Sequence, residues 1–355
     1  MNRPQPSRFA RTSTIKCMLS LCIAGTGLFA FLPLPGSNGW AYSAAHAAAP
    51  VSEAIAPQAL RSFAADAISK LAVQAPFSSW ADADVTMEPL GPGTKSWLVT
   101  LYTAPGASVP SSSHAQQLGY LIISATPQGD YKLVEYGTGQ DAPYSSQALH
   151  TGIGNSHSSS RSVTRVYGGP LLTAWKVVTK ASAGATAASA VHYLDAISGE
   201  SLPETEQTWN AQAEKYTPPP NAYGSDSAAL LSPEAVNTAG EPFDPYGNIL
   251  WMAAGSKGMT AGEVISSLDA KKRIIFVTSG SGRTYRFPLP VYGYQTWTGA
   301  EPPRQPAADT GSAPAVYLLT DSDSGNSRWI SLDAILDGGI FVIYSEDNAN
   351  GSSSI

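Results

Sequence analysis

Apolar residues recur at spacings of three and four in the first part of the chain that has a regular pattern. The residues that carry this spacing are Leu60, Phe63, Ala64, Ala67, Ile68 and Leu71. Such a spacing places the side chains on one face of an α-helix, and the pattern stops before Pro76. The sequence therefore predicts an amphipathic helix that packs on other elements through this face.

Alternation of apolar and polar residues then predicts a series of short β-strands. The first set covers residues 85–90, 97–102, 119–124 and 131–136, and the second covers 163–167, 171–179 and 191–195. Residues 127–130 have a turn-type sequence, so we expect a β-hairpin from the strands on either side of it. The two sets share a Trp-bearing strand and a Tyr-Leu strand. Duplication is one interpretation, and chance similarity of alternating strands is the other.

The C-terminal part begins with a predicted helix and continues with strands. Thr260 and Glu263 have the spacing of a helix capping box, and apolar residues follow them. Five strands are predicted next, over residues 273–278, 284–291, 316–320, 327–332 and 340–344. One helix followed by five short strands is typical of a small antiparallel β-barrel. The predicted fold class is α+β, with a helix packed on antiparallel sheet in the N-terminal part and a small antiparallel β-barrel in the C-terminal part.

Composition divides the chain into six predicted segments. Residues 1–41 are expected to be a signal peptide or membrane anchor, and 42–57 an Ala-rich spacer. Residues 58–205 hold the first helix and the antiparallel strands, as one unit or two related ones. Residues 206–241 are predicted to be a Pro-containing linker. A small β-rich domain is expected at 242–346, followed by a disordered tail at 347–355.

The N-terminus has the order of an export signal. Arg3, Arg8, Arg11 and Lys16 precede an apolar run at residues 17–32, with no acidic residue among them. Small residues after the run would allow cleavage after Ala41, and the alternative is that the run stays as an uncleaved anchor. Both alternatives predict a protein that is secreted or membrane-anchored outside the cytoplasm of a bacterium.

Removal of the leader changes the charge and the sulfur chemistry of the chain. Four of the 21 basic residues lie in residues 1–41, which leaves 17 against 27 acidic residues and a net charge of −10. Nucleic acid is therefore not an expected partner, and a membrane is expected only through an uncleaved leader. Because Cys17 and Cys22 also lie in the leader, the mature chain cannot use a Cys nucleophile or Cys-ligated zinc.

Two stretches resemble modules of known families. Residues 119–136, and more so Tyr193-Leu-Asp-Ala-Ile-Ser-Gly-Glu, resemble the strand-turn-strand signature of PepSY-like and protease-propeptide-like modules of exported bacterial proteins. The resemblance covers residues 58–205 and implies a helix on an antiparallel sheet that binds or inhibits peptidases. Residues 328–332 are similar to the end of bacterial SH3-like barrels and to the tail of papain-like peptidases. A papain-like relative without its nucleophilic Cys would be inactive.

Residue types that can bind a metal are scattered along the chain. His150 and His157 lie in a Ser- and Gly-rich stretch without the spacing of a metal site. The acidic run at 321–326 lacks the glycine and glutamate positions of an EF-hand loop, so we interpret it as a hairpin turn. The sequence predicts neither a metal nor a cofactor.

Four acidic residues near the ends of predicted strands are Glu135, Asp195, Glu200 and Asp333. A pair of carboxylates would suit glycoside hydrolysis only if the fold brought two of them to a suitable separation. No Gly-x-Ser-x-Gly nucleophile motif occurs either. We therefore predict no catalytic residue.

Aromatic residues concentrate at residues 285–297. Alternation places Tyr292 and Tyr294 together on one face, after a predicted bend near Gly293. With Trp297 beside them, they are predicted to form an exposed platform for a peptide or glycan. The alternative is that these rings close the ends of the predicted barrel.

The sequence as a whole favours an exported protein that acts by binding rather than by catalysis. The expected ligand is a peptide, a protein partner or a cell-wall polymer, with Tyr292, Tyr294 and Trp297 as the ligand-binding residues. Two alternatives stay open. One is a secreted peptidase or glycosidase with dispersed catalytic acids, and the other is a structural envelope protein.

Overall fold

Four α-helices and three antiparallel sheets make up the part of the chain that the computed structural model describes. The described residues are 56–91, 95–104, 115–140, 142–154, 161–180, 190–214, 216, 231–238, 242–253, 258–278, 285–298, 314–323 and 326–344. The predicted leader, nearly all of the spacer, His157, the three consecutive prolines of the linker and the tail lie outside these ranges. No helix among the described residues is long and apolar enough to cross a membrane.

The helices and strands have the following bounds. The helices are α1 Gln58–Leu71, α2 Ser146–Ile153, α3 Glu206–Ala213 and α4 Ala261–Asp269. The first eight strands are β1 Asp84–Leu90, β2 Ser96–Tyr102, β3 Gln117–Ala125, β4 Tyr131–Thr138, β5 Arg161–Tyr167, β6 Thr173–Thr179, β7 Ala190–Asp195 and β8 Ser201–Leu202. The other eight are β9 Ser232–Pro233, β10 Asn237–Thr238, β11 Ile274–Thr278, β12 Pro288–Val291, β13 Gly293–Thr298, β14 Ala315–Asp323, β15 Asn326–Ser331 and β16 Gly339–Ile343.

The largest sheet joins the two parts of the chain that the sequence separates. Its strand order is β1-β2-β3-β4-β15-β14-β13-β10, and β9 also pairs with β13. The junction is the antiparallel pair β4 and β15, in which Thr138 lies opposite Ser327 and Glu135 opposite Ile330. The α+β class is therefore confirmed, whereas the division into an N-terminal helix-on-sheet part and a C-terminal barrel is not.

Two smaller sheets complete the strand pairing. One has the order β5-β6-β7-β8 and the other β12-β11-β16. The strands predicted to close one C-terminal barrel are therefore divided, because β14 and β15 belong to the largest sheet. They still share one core, in which Leu318 and Ile330 pack with Phe276, Val264 and Leu268.

Helix α1 covers one face of the largest sheet, and it confirms the first prediction from the apolar pattern. Its buried residues are Leu60, Ala64, Ala67, Ile68 and Leu71. They pack in one cluster with residues of the central strands, among them Leu121 and Tyr136. Burying one Leu-sized side chain stabilises a fold by about 1.5–3 kcal/mol, so this face fixes the helix on the sheet.

The opposite face of the largest sheet has two covers. Over β2 and β3, Leu98 and Ile122 pack against Trp175 and Leu194 of the sheet β5-β6-β7-β8. Over β14 and β15, the cover is the sheet β12-β11-β16 together with α4. Helix α4 begins with the predicted capping box, in which the side chain of Thr260 accepts a hydrogen bond from the backbone N–H of Glu263.

The predicted linker at 206–241 contains regular structure where it is described. Helix α3 starts directly after Thr205, whose hydroxyl accepts a hydrogen bond from the N–H of Thr208. Trp209 of this helix is buried and stacks on Tyr193 with the ring centroids 5.0 Å apart. Strands β9 and β10 follow and pair with β13. The apolar pattern of this stretch is too weak to predict α3, β9 and β10, because packing against the rest of the fold stabilises them.

Candidate functional site

The three residues of the predicted aromatic platform do not form one exposed surface. Trp297 is only 4% exposed and lies in the core under α1, with its ring 5.5 Å from that of Tyr317. Its indole N–H donates to the hydroxyl of Tyr136 at 3.3 Å. The prediction that Trp297 is exposed was wrong, because the face of β13 that carries Trp297 is the face that α1 covers.

Tyr294 belongs to the other face of β13. It is half-buried against the core that contains α4. Its hydroxyl donates to Asp269 at 2.7 Å and accepts from the side-chain amide of Asn237 at 3.1 Å. Burial, and then the hydrogen bond to the carboxylate, raise the pKa of Tyr294. The side chain is therefore engaged within the protein.

Tyr292 is half-buried and contacts a segment that does expose apolar side chains. Its ring centroid lies 5.7 Å from that of Phe243, and its hydroxyl approaches the carbonyl oxygen of Phe243 at 3.5 Å. Tyr292 packs against the core that contains α1, whereas Tyr294 packs against the core that contains α4, so the two rings do not share the face that alternation predicted. Through Phe243, Tyr292 adjoins the segment that carries the candidate site.

The candidate site consists of three exposed apolar residues that are close in the chain, Tyr246, Ile249 and Met252, which we call the apolar ridge. The three side chains are 62%, 58% and 58% exposed. They follow one another at a spacing of three, in two short 3-10 segments at Pro245–Gly247 and Ile249–Ala253. A 3-10 helix has three residues per turn, so Ile249 and Met252 share one side of their segment. Single exposed apolar residues are ordinary, but three in one short segment are a candidate contact surface.

Aromatic side chains of the same segment anchor the ridge to the outer face of the sheet β12-β11-β16. Trp251 is buried there in one cluster with Ile275, Val277 and Tyr344. Its indole N–H donates to the carbonyl oxygen of Pro245 at 2.8 Å. Phe243 packs against the same cluster. Its ring stacks on that of Tyr344 at 4.8 Å between centroids.

The backbone of the ridge is also fixed. The carboxylate of Asp244 accepts from the N–H of Tyr246 at 2.8 Å, and the carbonyl of Asp244 accepts from the N–H of Gly247 at 3.1 Å. An Asp before a Pro is a favourable start for a helical turn, because its side chain satisfies a free N–H and Pro needs none. The segment that carries the ridge is therefore fixed by hydrogen bonds and packing. The ridge side chains are apolar, so a contact that covers them would bury apolar area.

A buried ion pair forms a second unusual cluster among the described residues. Glu135 is fully buried, and its carboxylate accepts from Nε and Nη2 of Arg328 at 2.9 and 3.1 Å and from the hydroxyl of Tyr120 at 2.6 Å. Arg328 also donates to the carbonyl oxygen of Pro170 at 2.8 Å. Burial alone would lower the pKa of Arg328, but the charge of Glu135 and its neighbours outweighs burial and raises that pKa.

The remaining acids weighed as catalytic groups have separate surroundings. Asp333 pairs with Lys132 and with the hydroxyl of Ser331. Asp195 accepts hydrogen bonds from the backbone N–H groups of the turn that follows it, at 2.9 and 2.7 Å. Glu200 is exposed. Within the described ranges, no three His, Cys, Asp or Glu residues lie together as a metal site would require.

Comparison with protein families, with characterised proteins and with solved structures finds no match. The resemblance to PepSY-like, SH3-like and papain-like modules therefore stays a prediction. Tyr246, Ile249 and Met252 are not among the site residues that the sequence predicts. The signal was three large apolar residues at a spacing of three between Pro245 and Ala253, in a stretch too short for a helix prediction.

Proposed function

We propose that the protein is an exported, non-catalytic binding protein of the bacterial cell envelope, and that a protein or peptide partner docks on the apolar ridge. The observation that carries the proposal is the exposure of Tyr246, Ile249 and Met252 on an anchored segment. The export signal predicted in residues 1–41 supports a partner outside the cytoplasm.

The size of the ridge suits the centre of an interface. Full burial of one large apolar side chain is worth about 1.5–3 kcal/mol, so covering three that are more than half exposed would contribute roughly 3–5 kcal/mol. Interfaces concentrate their binding energy in a few central residues of this kind, with Tyr among the most common. The support beneath the ridge limits the ordering entropy that binding would cost.

The surroundings of two of the four candidate acids, Glu135 and Asp333, favour binding over catalysis. Glu135 is enclosed by Arg328 and Tyr120, and Asp333 is paired with Lys132. A catalytic carboxylate must reach its substrate, and a fully buried one cannot do so without a change of fold. These contacts support structural roles for both acids.

The test is a pull-down from cell-envelope extract with the purified protein and a ridge variant that carries Tyr246→Ser, Ile249→Ser and Met252→Ser. We expect a partner that the unchanged protein retains and the ridge variant releases, with an affinity for the purified partner at least about tenfold weaker. Circular dichroism and urea unfolding must show that the variant is folded.

A matched control removes three exposed apolar side chains elsewhere, with Val73→Ser, Val85→Thr and Val163→Thr. These valines are 82%, 38% and 37% exposed and belong to other elements of the fold. The control variant should keep the partner. Loss of the partner from both variants would indicate non-specific hydrophobic binding, and retention by both would exclude the ridge as the binding surface.

A further inference from the structure

Thioethers are the oxidisable sulfur groups of the mature chain. The two cysteines lie at positions 17 and 22, in the leader. The described residues contain three methionines, Met87, Met252 and Met259. In a chain that has lost the leader, an oxidant therefore meets sulfur only in methionine side chains.

The three methionines differ in their surroundings. Met252 is 58% exposed on the ridge. Met87 is half-buried against the core that contains α1, and Met259 is half-buried against the core that contains α4. Susceptibility to oxidation follows solvent access. Met252 is therefore the described methionine that is most open to a dissolved oxidant.

We propose that Met252 is a modification site, at which oxidation by a peroxide converts the end of the ridge from apolar to polar and weakens docking. In this step the thioether sulfur attacks one peroxide oxygen. The O–O bond breaks, an S–O bond forms, and the second oxygen leaves as water after proton transfer. Sulfur loses two electrons and hydrogen peroxide gains them.

The expected consequence is local. Ile249 lies one 3-10 turn before Met252, so a sulfoxide at Met252 places a strong hydrogen-bond acceptor beside an apolar contact. Trp251 stays buried with its N–H on Pro245, so the anchor of the segment is untouched. The effect on docking rests on the proposed function, whereas the site of oxidation does not.

The first experiment measures where the native protein is oxidised. The full protein is treated with dilute hydrogen peroxide, quenched and digested, and each methionine sulfoxide is quantified by mass spectrometry. We expect Met252 to react at least about fivefold faster than Met87 and Met259 in the folded protein, and all three to react at similar rates in urea. Equal rates in the folded protein would overturn the proposal.

The second experiment measures the surface change without any partner. Retention on a phenyl column is compared before and after peroxide, each protein against its own untreated sample. The unchanged protein and a Met87→Leu, Met259→Leu variant should lose retention, and Met252→Leu should not. An unchanged retention of the wild type after oxidation of Met252, or an equal loss in Met252→Leu, contradicts the proposal.

The same peroxide treatment applied before the pull-down connects the two proposals. Selective oxidation with lost retention and a released partner supports both. If the untreated protein holds no partner, the proposed function fails, but the oxidation rates and the column still decide whether Met252 is the modification site. A partner that stays bound after complete oxidation of Met252 overturns the effect on docking.

Discussion

The buried ion pair and the apolar ridge are opposites of each other. Glu135 and Arg328 place charges where apolar residues are expected, and Tyr246, Ile249 and Met252 expose apolar groups where polar ones are expected. The charges are matched by partners inside the protein, with Tyr120 and the carbonyl of Pro170 completing the set. The segment that carries the ridge is anchored through Trp251, whereas the ridge side chains face solvent. Contacts within the fold thus explain the ion pair, but they do not explain the ridge, which we propose binds a partner.

The energetic logic of the two clusters differs in the same way. An ion leaves water at a cost of several kcal/mol, so a buried carboxylate persists only when hydrogen bonds and an opposite charge compensate it. An exposed apolar side chain costs the folded state little, because it is exposed in the unfolded chain as well. Substitutions should therefore separate the two clusters by stability.

The largest effect is expected from Arg328→Leu. This change leaves Glu135 buried beside Tyr120 without its counter-charge, and it removes the donor to Pro170. Breaking a buried ion pair in this way should lower the free energy of unfolding by about 3–5 kcal/mol. Urea denaturation followed by circular dichroism measures it.

The control for this change replaces both charges, with Arg328→Leu and Glu135→Leu together. Apolar replacement of a whole buried ion pair is often neutral, so the double variant should regain most of the lost stability. A double variant as unstable as Arg328→Leu would mean that the ion pair is needed to join β4 to β15.

A smaller, pH-dependent effect is expected at Tyr216, which packs against the core between the largest sheet and the sheet β5-β6-β7-β8. Burial raises the pKa of Tyr216 from 10.0 to about 12. The folded protein then keeps a proton that the unfolded chain gives up. The contribution of Tyr216 to stability is therefore fully present below pH 10 and is lost as the pH rises from 10 to 12.

Urea midpoints measured across this pH range test the effect of Tyr216. Tyr216→Phe should make the decline shallower without removing it, because burial also raises the pKa of Tyr144, Tyr167 and Tyr317. An identical decline in Tyr216→Phe would show that this hydroxyl ionises freely in the folded protein.

Local patterns predicted the local structure well. The apolar stripe of α1, the capping box of α4 and the hairpin of β3 and β4 are all confirmed. In the hairpin turn, Gly129 has φ +93°, a conformation that glycine adopts without strain. Each of these features depends on residues that are close together in the chain, so a single sequence is enough to predict them.

Long-range structure was not accessible in the same way. Strands β4 and β15 pair across nearly two hundred residues, with Thr138 opposite Ser327. Nothing in the pattern of either strand indicates which strand it pairs with. The same reason explains the error at Trp297. Alternation shows that β13 has two faces, but only the position of α1 shows which face is buried. The ridge was overlooked because its exposure depends on what the fold leaves uncovered.

The smallest effect on stability is expected from the ridge variant with Tyr246→Ser, Ile249→Ser and Met252→Ser. Surface substitutions change stability little, and the main loss should be the edge contact of Tyr246 with Trp251, whose ring centroids lie 6.0 Å apart. We expect a total below about 1 kcal/mol by urea denaturation. A loss as large as that of Arg328→Leu would mean that the ridge is covered within the chain, by residues outside the described ranges. The two clusters would then both be explained by folding, and the ridge would no longer point to a partner.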